Sequence, residues 1–257
     1  MGTMKSTKPL STAQKELYES IHDDYEAHYF DETSLEFRAK FIYDELFRGV
    51  DLNGKVVADL ASGSGFNSLA LLERFPGAEV VGFDISAHAC RRYKELVGGE
   101  SFCVDLTRGE PLDLRVDAAM IIGGLHHCVA DIEGTLKTVA SMVRPGGVLL
   151  MYEPNSRYFL EGARKLWYRL DRYFDADTEH ALDHTELAKA AAQWFTPMRC
   201  AYGGGPAYFL IYNSLIFRVP KSIKPRIKTF MFGLEQLYDR IPSPFFYPYF
   251  IAQWRRI

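Results

Sequence analysis

The stretch VVADLASGSGFNSLAL, Val56–Leu71, points to one fold class. It reads as an apolar strand, then a loop with glycines at positions 63 and 65, then a helix with apolar residues on one face. Because glycine has no Cβ, such a loop can turn sharply into the helix and bring its backbone close to a ligand. In an open α/β sheet, ligands bind beyond the carboxyl ends of the strands, where this loop would lie. The stretch therefore predicts a site for a nucleotide-like ligand.

Apolar runs continue to alternate with helix-like segments beyond this stretch. The runs are KVVADL, EVVGFDIS, SFCVDL, VDAAMIIGGL and GGVLLMYEP, and later PMRCAYGG and FYPYFIAQWRR. Strands that alternate with helices at this spacing pair in parallel with right-handed crossovers. Runs that are apolar almost throughout are typical of strands covered on both faces. We therefore predict a doubly wound, Rossmann-like α/β sheet of seven strands.

Changes in composition and residue pattern along the chain predict four segments. Residues 1–48 are expected to form an N-terminal helical lid, because two helical stretches precede the first strand. Residues 49–204 are the predicted ligand-binding α/β core. Residues 205–242 are an aromatic and basic helical cap inserted before the last strand, and residues 243–257 return to the core as that strand.

Charge is unevenly distributed. The chain has a formal net charge of -3, yet residues 205–257 carry eight Lys/Arg and two Asp/Glu, a net of +6. The other 204 residues carry the remaining 22 basic and 31 acidic side chains, a net of -9. A basic, aromatic tail on an acidic body predicts contact with something anionic. The overall negative charge argues against nucleic acid as a partner.

Cysteine usage and apolar segments indicate the compartment. The four cysteines have no paired spacing, so neither a disulfide scaffold nor a metal site is predicted. The N-terminus lacks a signal-type apolar segment, and no apolar stretch is long enough to span a bilayer. We therefore predict a cytoplasmic protein with reduced thiols. For residues 205–242, a simple cap and a cap that also makes peripheral membrane contact are both kept open.

Carboxylates end three of the predicted strands. Asp84 follows Gly65 by nineteen residues and could accept hydrogen bonds from both hydroxyls of a ribose. Asp105 could accept from the exocyclic amine of an adenine, or it could cap a helix. Asp59 lies before the glycine loop, where it would repel a pyrophosphate and attract a sulfonium with an α-amino group.

The segments DLASGSG, FDIS, VDL, GGLHHC and VRPGGVLLMYEP, in this order, resemble the class I S-adenosylmethionine-dependent methyltransferases. The closest resemblance is to their small-molecule group with a ubiquinone-methyltransferase-like, type 11 core. It implies that S-adenosyl-L-methionine is the cofactor, that Asp59 and the loop backbone hold its methionine part, and that Asp84 holds its ribose. One departure is Ala61, which stands where the family has its first glycine. Alanine is small enough there unless its φ is positive.

From these patterns and this resemblance we predict the site residues. The predicted cofactor-binding residues are Asp59, Ala61, Gly63, Gly65, Asp84, Ile85, Asp105, Leu106 and Tyr25. The predicted acceptor-binding residues are Tyr29, Glu153, Asn155 and Tyr158, although Asn155 could equally be a turn residue. His126 and His127 are the catalytic candidates, because one histidine beside the sulfonium could act as a general base. The same pair could instead be framework.

The predicted function is S-adenosylmethionine-dependent methyl transfer to an apolar or lipid-linked small molecule. The aromatic segment 205–242 favours such an acceptor, and O-methylation is favoured over C- or N-methylation. A nicotinamide-dependent oxidoreductase is one alternative, although a dinucleotide loop would want a third glycine where Ser68 stands. A non-catalytic S-adenosylmethionine-binding module is another. The oligomeric state is left open.

Overall fold

The computed structural model describes residues 29–108, 114–164 and 180–257. The strands are β1 (Val56–Leu60), β2 (Glu79–Asp84), β3 (Ser101–Cys103), β4 (Val116–Ile122), β5 (Val143–Pro154), β6 (Phe195–Gly203) and β7 (Tyr249–Arg256). The α-helices are α1 (Glu32–Phe37), α2 (Asp44–Leu46), α3 (Phe66–Arg74), α4 (Ala87–Val97), α5 (Ile132–Met142), α6 (His184–Ala190) and α7 (Lys224–Tyr238). Wider π-helical turns span Arg38–Tyr43 and Tyr208–Tyr212, and short 3₁₀ turns span Leu106–Arg108, Leu125–His127 and Pro244–Phe246.

The seven strands form one sheet in the order β3-β2-β1-β4-β5-β7-β6. Strands β1 to β5 pair in parallel, and β7 pairs antiparallel with both β5 and β6. The chain order reverses between β1 and β4, so the loop after β1 lies at the point where such sheets bind ligands. The predicted fold class is confirmed.

Both faces of the sheet are buried, which explains the apolar runs. In β1, Val57 packs in one core cluster and Ala58 in the other. In β4, Met120 and Ile121 divide between the two clusters in the same way. Successive side chains of a strand point to opposite faces, so a strand covered on both sides is apolar at most positions.

The segment between β6 and β7 packs against α1. Tyr212 stacks on Phe37 with the ring centroids 5.4 Å apart. Lys224, at the start of α7, is buried and its Nζ donates to Asp31 Oδ2 at 2.5 Å. The boundaries predicted for the lid and the cap stay predictions, and Tyr25 lies outside the described residues. Within the described ranges, no helix combines the length and the apolarity needed to cross a bilayer.

Candidate active site

A cavity opens at the carboxyl ends of β1, β2 and β4, partly covered by the chain around α1. Its wall combines apolar rings, loop backbone and a few polar side chains, as ligand sites usually do. The predicted site residues that it contains are Tyr29, Ala61, Gly63, Asp84, Ile85, Asp105, Leu106 and His127. The other candidates within the described residues are not on this wall: Asp59, Gly65, His126, Glu153, Asn155 and Tyr158.

The loop after β1 has a left-handed backbone where the sequence departs from the family. Ala61 has φ of 52°, so an alanine occupies a conformation that favours glycine. A Cβ placed on Gly124 would lie only 2.5 Å from the Cβ of Ala61. The glycine at position 124 therefore makes the space that the methyl group of Ala61 occupies.

Gly65 allows a sharp turn of the chain and close packing of a neighbouring helix, and it does not line the cavity. Its φ is 93°, and a Cβ there would lie 2.4 Å from Val97 Cγ2 and 2.8 Å from the Tyr93 ring. The residue lets the chain turn from the loop into α3 while α4 packs closely against it. Its predicted cofactor contact is not supported by this placement, because the cavity wall does not contain it.

Asp84 ends β2 and ties the glycine loop to that strand. Its Oδ2 accepts from the Gly63 backbone N–H at 2.9 Å, and its Oδ1 accepts from the Ser86 N–H at 2.8 Å. These bonds fix the carboxylate at the cavity wall. Each oxygen keeps acceptor capacity, which suits a pair of neighbouring hydroxyls.

Asp105 caps the short turn that follows β3. Its Oδ1 accepts from the Thr107 N–H at 3.0 Å and from the Thr107 hydroxyl at 2.6 Å. This is the capping alternative that the sequence left open. Asp105 also lies on the cavity wall with Leu106 and Ile85, so contact with an adenine stays a prediction.

Asp59 is fully buried beneath the loop and is absent from the cavity wall. The Ser68 hydroxyl donates to its Oδ2 at 2.7 Å, whereas its Oδ1 has no hydrogen-bond partner among the described residues. Burial raises the pKa of Asp59 to about 7. Ser68 thus has a structural role at the position where a dinucleotide loop would have glycine.

The two histidines have different environments. His126 Nδ1 lies 2.7 Å from Glu153 Oε2, and burial lowers the pKa of His126 to about 3. It is absent from the cavity wall and its ring contacts Glu153, so its predicted catalytic role stays a prediction. His127 lies on the wall. Burial, and then the neighbouring His126, hold the pKa of His127 well below its usual value, which keeps the ring neutral at physiological pH.

Glu153 supports the histidine turn instead of lining the acceptor side. Its fully buried carboxylate accepts from the backbone N–H groups of Gly124 at 3.1 Å, Leu125 at 2.7 Å and His126 at 3.2 Å. Burial raises the pKa of Glu153 to about 8. The carboxylate therefore fixes the 3₁₀ turn that presents His127.

Asn155 and Tyr158 do not line the cavity, and their predicted acceptor contacts stay predictions. The Asn155 amide donates to the carbonyls of Pro244 at 2.9 Å and Tyr247 at 2.8 Å. It is the turn residue that the sequence offered as an alternative. Tyr158 is buried against other rings, including Phe159 at a centroid distance of 5.0 Å. Asn155 thus holds the chain after β5 to the loop before β7.

Arg38 is the site residue that sequence reasoning missed. It is buried on the cavity wall, and its Nε donates to the Tyr43 hydroxyl at 2.9 Å and its Nη1 to the Tyr212 hydroxyl at 2.8 Å. Its Nη2 donates to Asn67 Oδ1. Within residues 29–108, 114–164 and 180–257 it has no carboxylate at ion-pair distance. A buried cation held by neutral groups favours an anionic ligand group.

The wall around Arg38 is aromatic. The guanidinium carbon lies 4.6 Å from the centroid of the Phe30 ring. Phe30 stacks on Phe66 with the centroids 4.2 Å apart, and Tyr29 packs edge-on against Tyr212 at 5.4 Å. No local pattern marks this cluster, because it joins residues far apart in sequence.

Comparisons with known proteins agree with the fold. Residues 58–149, which include the end of β1 and all of β2, β3 and β4, match the family described as "Methyltransferase domain". No curated protein sequence matches the chain. The structure of the cyclopropane synthase MmaA2 from Mycobacterium tuberculosis is 15% identical with a TM-score of 0.63, covering 98% of this chain and 99% of that one.

Two further solved structures show the same fold. The [4+2]-cyclase SpnF is 15% identical with a TM-score of 0.64, and the alignment covers 96% of this chain and 97% of that one. The N-methyltransferase NodS from Bradyrhizobium japonicum WM9, solved with S-adenosyl-L-homocysteine, is 11% identical with a TM-score of 0.55 over 93% and 98% of the two chains. At these identities the likeness concerns the fold.

Proposed function

We propose that this protein, a class I S-adenosylmethionine-dependent methyltransferase, acts on a small apolar or lipid-linked acceptor. The enzyme class and the cofactor predicted from the sequence are confirmed by the methyltransferase-domain match together with the fold. That match also sets aside the nicotinamide alternative. The ubiquinone-methyltransferase-like subgroup and the acceptor stay proposals.

The cavity residues fit the parts of this cofactor. Asp84 offers two fixed acceptor oxygens to the ribose hydroxyls. Ile85 and Leu106 offer apolar contact to the adenine. Ile85 directly follows β2 and Leu106 comes shortly after β3, and both strands lie on the same side of the switch point between β1 and β4. The rest of the cofactor would then extend along the loop after β1, toward β4.

Arg38 fits the methionine carboxylate. It is positively charged at every physiological pH, and it is bonded to Asn67 at the start of α3, next to the loop. Beneath the loop, Asp59 has one buried oxygen without a partner in the described chain, and an ionised carboxylate there favours a cationic ligand. The buried Arg38 cation and the unpartnered Asp59 oxygen are the observations that make the residues fit this zwitterionic cofactor.

The acceptor class rests on the aromatic wall. Tyr29, Phe30, Phe66, Tyr212 and Ile122 line the cavity and offer mostly ring and alkyl surface. Such a wall binds an apolar acceptor by removing its surface from water. A highly charged acceptor would lose its hydration there without compensating partners.

His127 suits O-methylation. S-adenosylmethionine supplies a methyl group on a positively charged sulfur, so the protein's main task is to align the acceptor with it. A neutral imidazole on the wall can accept the proton that a hydroxyl acceptor must lose. Its lowered pKa makes it a weak base, so alignment contributes more than proton transfer.

A product search tests this proposal. The protein would be incubated with deuterium-methyl-labelled S-adenosylmethionine and, separately, with the lipid-soluble and the water-soluble fractions of a cell extract. We expect a labelled product from the lipid-soluble fraction, identified by mass spectrometry. A labelled product found only in the water-soluble fraction would contradict the acceptor class. S-adenosylmethionine binding without any labelled product would favour the non-catalytic alternative.

A further inference from the structure

We infer that the outer face of α7 docks on an anionic lipid surface. Ile223, directly before the helix, and Phe230 and Leu237 within it are 38%, 66% and 62% exposed. They are seven residues apart, a spacing that places side chains nearly in line along a helix. The outer face thus presents an apolar stripe of three exposed side chains about two helical turns apart, although each of these residues would normally be buried.

Unpaired cations flank this stripe. Lys221, Arg226 and Arg240 are exposed, and none has a carboxylate partner in the described part of the chain. Two other lysines of the same segment have a different role: Lys224 pairs with Asp31 at 2.5 Å and Lys228 with Glu36 at 2.7 Å. The sequence alone did not separate the paired lysines from the exposed cations. Only the exposed cations are available to a ligand.

The acids of this segment are too few to neutralise the outward cations. Residues 205–248 contain two carboxylates, Glu235 and Asp239. Glu235 is fully buried and accepts from the backbone N–H groups of Gly205 and Ala207, each at 2.8 Å. Asp239 is at the surface beyond the end of α7. The exposed face of the helix therefore keeps an excess of positive charge.

This combination of apolar and basic side chains favours an anionic lipid surface as the partner. An apolar stripe flanked by Lys and Arg is typical of helices that lie in a lipid–water interface. An anionic surface attracts the cations, and the apolar residues insert between headgroups. A second copy of this chain would instead bring Lys221, Arg226 and Arg240 against the same cations, which costs free energy.

The inner face of α7 connects this surface to the active site. Phe232 contacts Phe41 and Phe37 at centroid distances of 5.3 and 6.1 Å. The helix that carries Phe37 continues into the turn that contains Arg38 on the cavity wall. Docking would therefore place the cover of the cavity against lipid, from which an apolar acceptor could enter. Only this last step rests on the proposed acceptor; the docking itself does not.

Vesicle co-sedimentation tests the docking. The full chain would be spun with vesicles of phosphatidylcholine alone and of phosphatidylcholine with phosphatidylglycerol, at low and at high salt. We expect binding to the anionic vesicles at low salt that weakens at high salt. Replacing Lys221, Arg226 and Arg240 by Gln should weaken it on the order of 100-fold, since each cation near the surface contributes about fivefold. Replacing Ile223, Phe230 and Leu237 by Ser should also abolish most binding.

Control variants change exposed residues of other elements, α4, β3 and α5. Leu96 and Phe102 are 38% and 47% exposed, and Arg91 and Lys137 are exposed cations. Leu96→Ser with Phe102→Ser, and Arg91→Gln with Lys137→Gln, should sediment like the unaltered protein. Calorimetric binding of S-adenosyl-L-homocysteine would verify that every variant is folded.

Three outcomes would overturn the inference. The unaltered protein does not sediment with anionic vesicles at low salt; or the charge variants and their controls lose binding equally; or sedimentation velocity shows a dimer that the Ile223, Phe230 and Leu237 variant abolishes, without vesicle binding. Failure to find a methylated lipid would refute the proposed acceptor and leave the vesicle result unaffected, so the two ideas fail separately.

Discussion

Replacing Arg38 by Met should weaken binding of the cofactor's amino-acid part and leave the adenosine part unaffected. Methionine fills much of the same volume but removes a cation that is buried on the cavity wall without a carboxylate partner in the described chain. A charge-assisted hydrogen bond to an anion is worth about 2–3 kcal/mol. That energy corresponds to a rise of about 30- to 150-fold in the Kd of S-adenosyl-L-homocysteine.

Two ligands separate a direct contact from a structural effect. S-adenosyl-L-homocysteine carries the amino-acid carboxylate, whereas 5′-methylthioadenosine shares the adenosine and the thioether but lacks the amino acid. Isothermal titration calorimetry would give both Kd values for each variant. Arg38→Met should raise the first and leave the second within about twofold, well below the effect of a charged hydrogen bond. Arg38→Lys should give an intermediate loss, because it keeps the charge and loses the planar fork.

Asp84→Asn is the matched control. It replaces the acceptor that we propose for the ribose, which both ligands contain, so both Kd values should rise together. If Arg38→Met instead weakens the two ligands equally, Arg38 only holds Tyr43, Tyr212 and Asn67 in place. Unchanged affinity for both would remove Arg38 from the binding site altogether.

Three further predictions concern the loop, the buried acid and the histidine. Gly124→Ala should lower the free energy of unfolding by about 1–3 kcal/mol, because its Cβ would overlap that of Ala61, and Ala61→Gly in the same chain should restore part of the loss in urea titrations. Additive effects would show that the two positions do not touch. Burial raises the folded-state pKa of Asp59 to about 7, from an ordinary aspartate value of about 4, so the folded state retains a proton that the unfolded state has lost. The stability of the cofactor-free protein should therefore fall between about pH 4 and pH 7, and Asp59→Asn should reduce that fall in thermal melts; an unchanged slope would mean that Asp59 ionises normally. His127→Gln should lower kcat by on the order of 100-fold for a hydroxyl acceptor and leave the Kd of S-adenosyl-L-homocysteine nearly unchanged, whereas equal loss in both would indicate a binding role.

Local patterns were enough to predict the core of this protein. Apolar runs of strand length, separated by helices, allow few arrangements other than a parallel sheet with crossovers. Since the carboxyl ends of parallel strands meet at one edge, the sequence also predicted that Gly63, Asp84 and Asp105 would lie near one another, and all three are on the cavity wall.

Nearness to a strand end did not predict which side chains reach the cavity, because the direction of a side chain depends on its neighbours. Glu153 lies one residue before the end of β5, much as Asp84 ends β2, yet it points inward to three backbone N–H groups of the turn after β4. Those donors belong to the loop that follows β4. A fully buried carboxyl group must be hydrogen-bonded, so Glu153 points to them and not into the cavity. Asn155 is drawn in the same way to the carbonyls of Pro244 and Tyr247.

The sequence alone determined the fold class, the glycine loop and the acid on β2, since each follows from local periodicity and spacing. Only the tertiary structure decided which charges are available to a ligand. Arg38 faces the cavity because Asn67 and Tyr212, 29 and 174 residues away, hold its guanidinium without neutralising it. Lys224 is instead bound to Asp31, 193 residues away. Long-range partners of this kind leave no trace in the pattern around a single residue, because burial and pairing are set by the packing of distant segments.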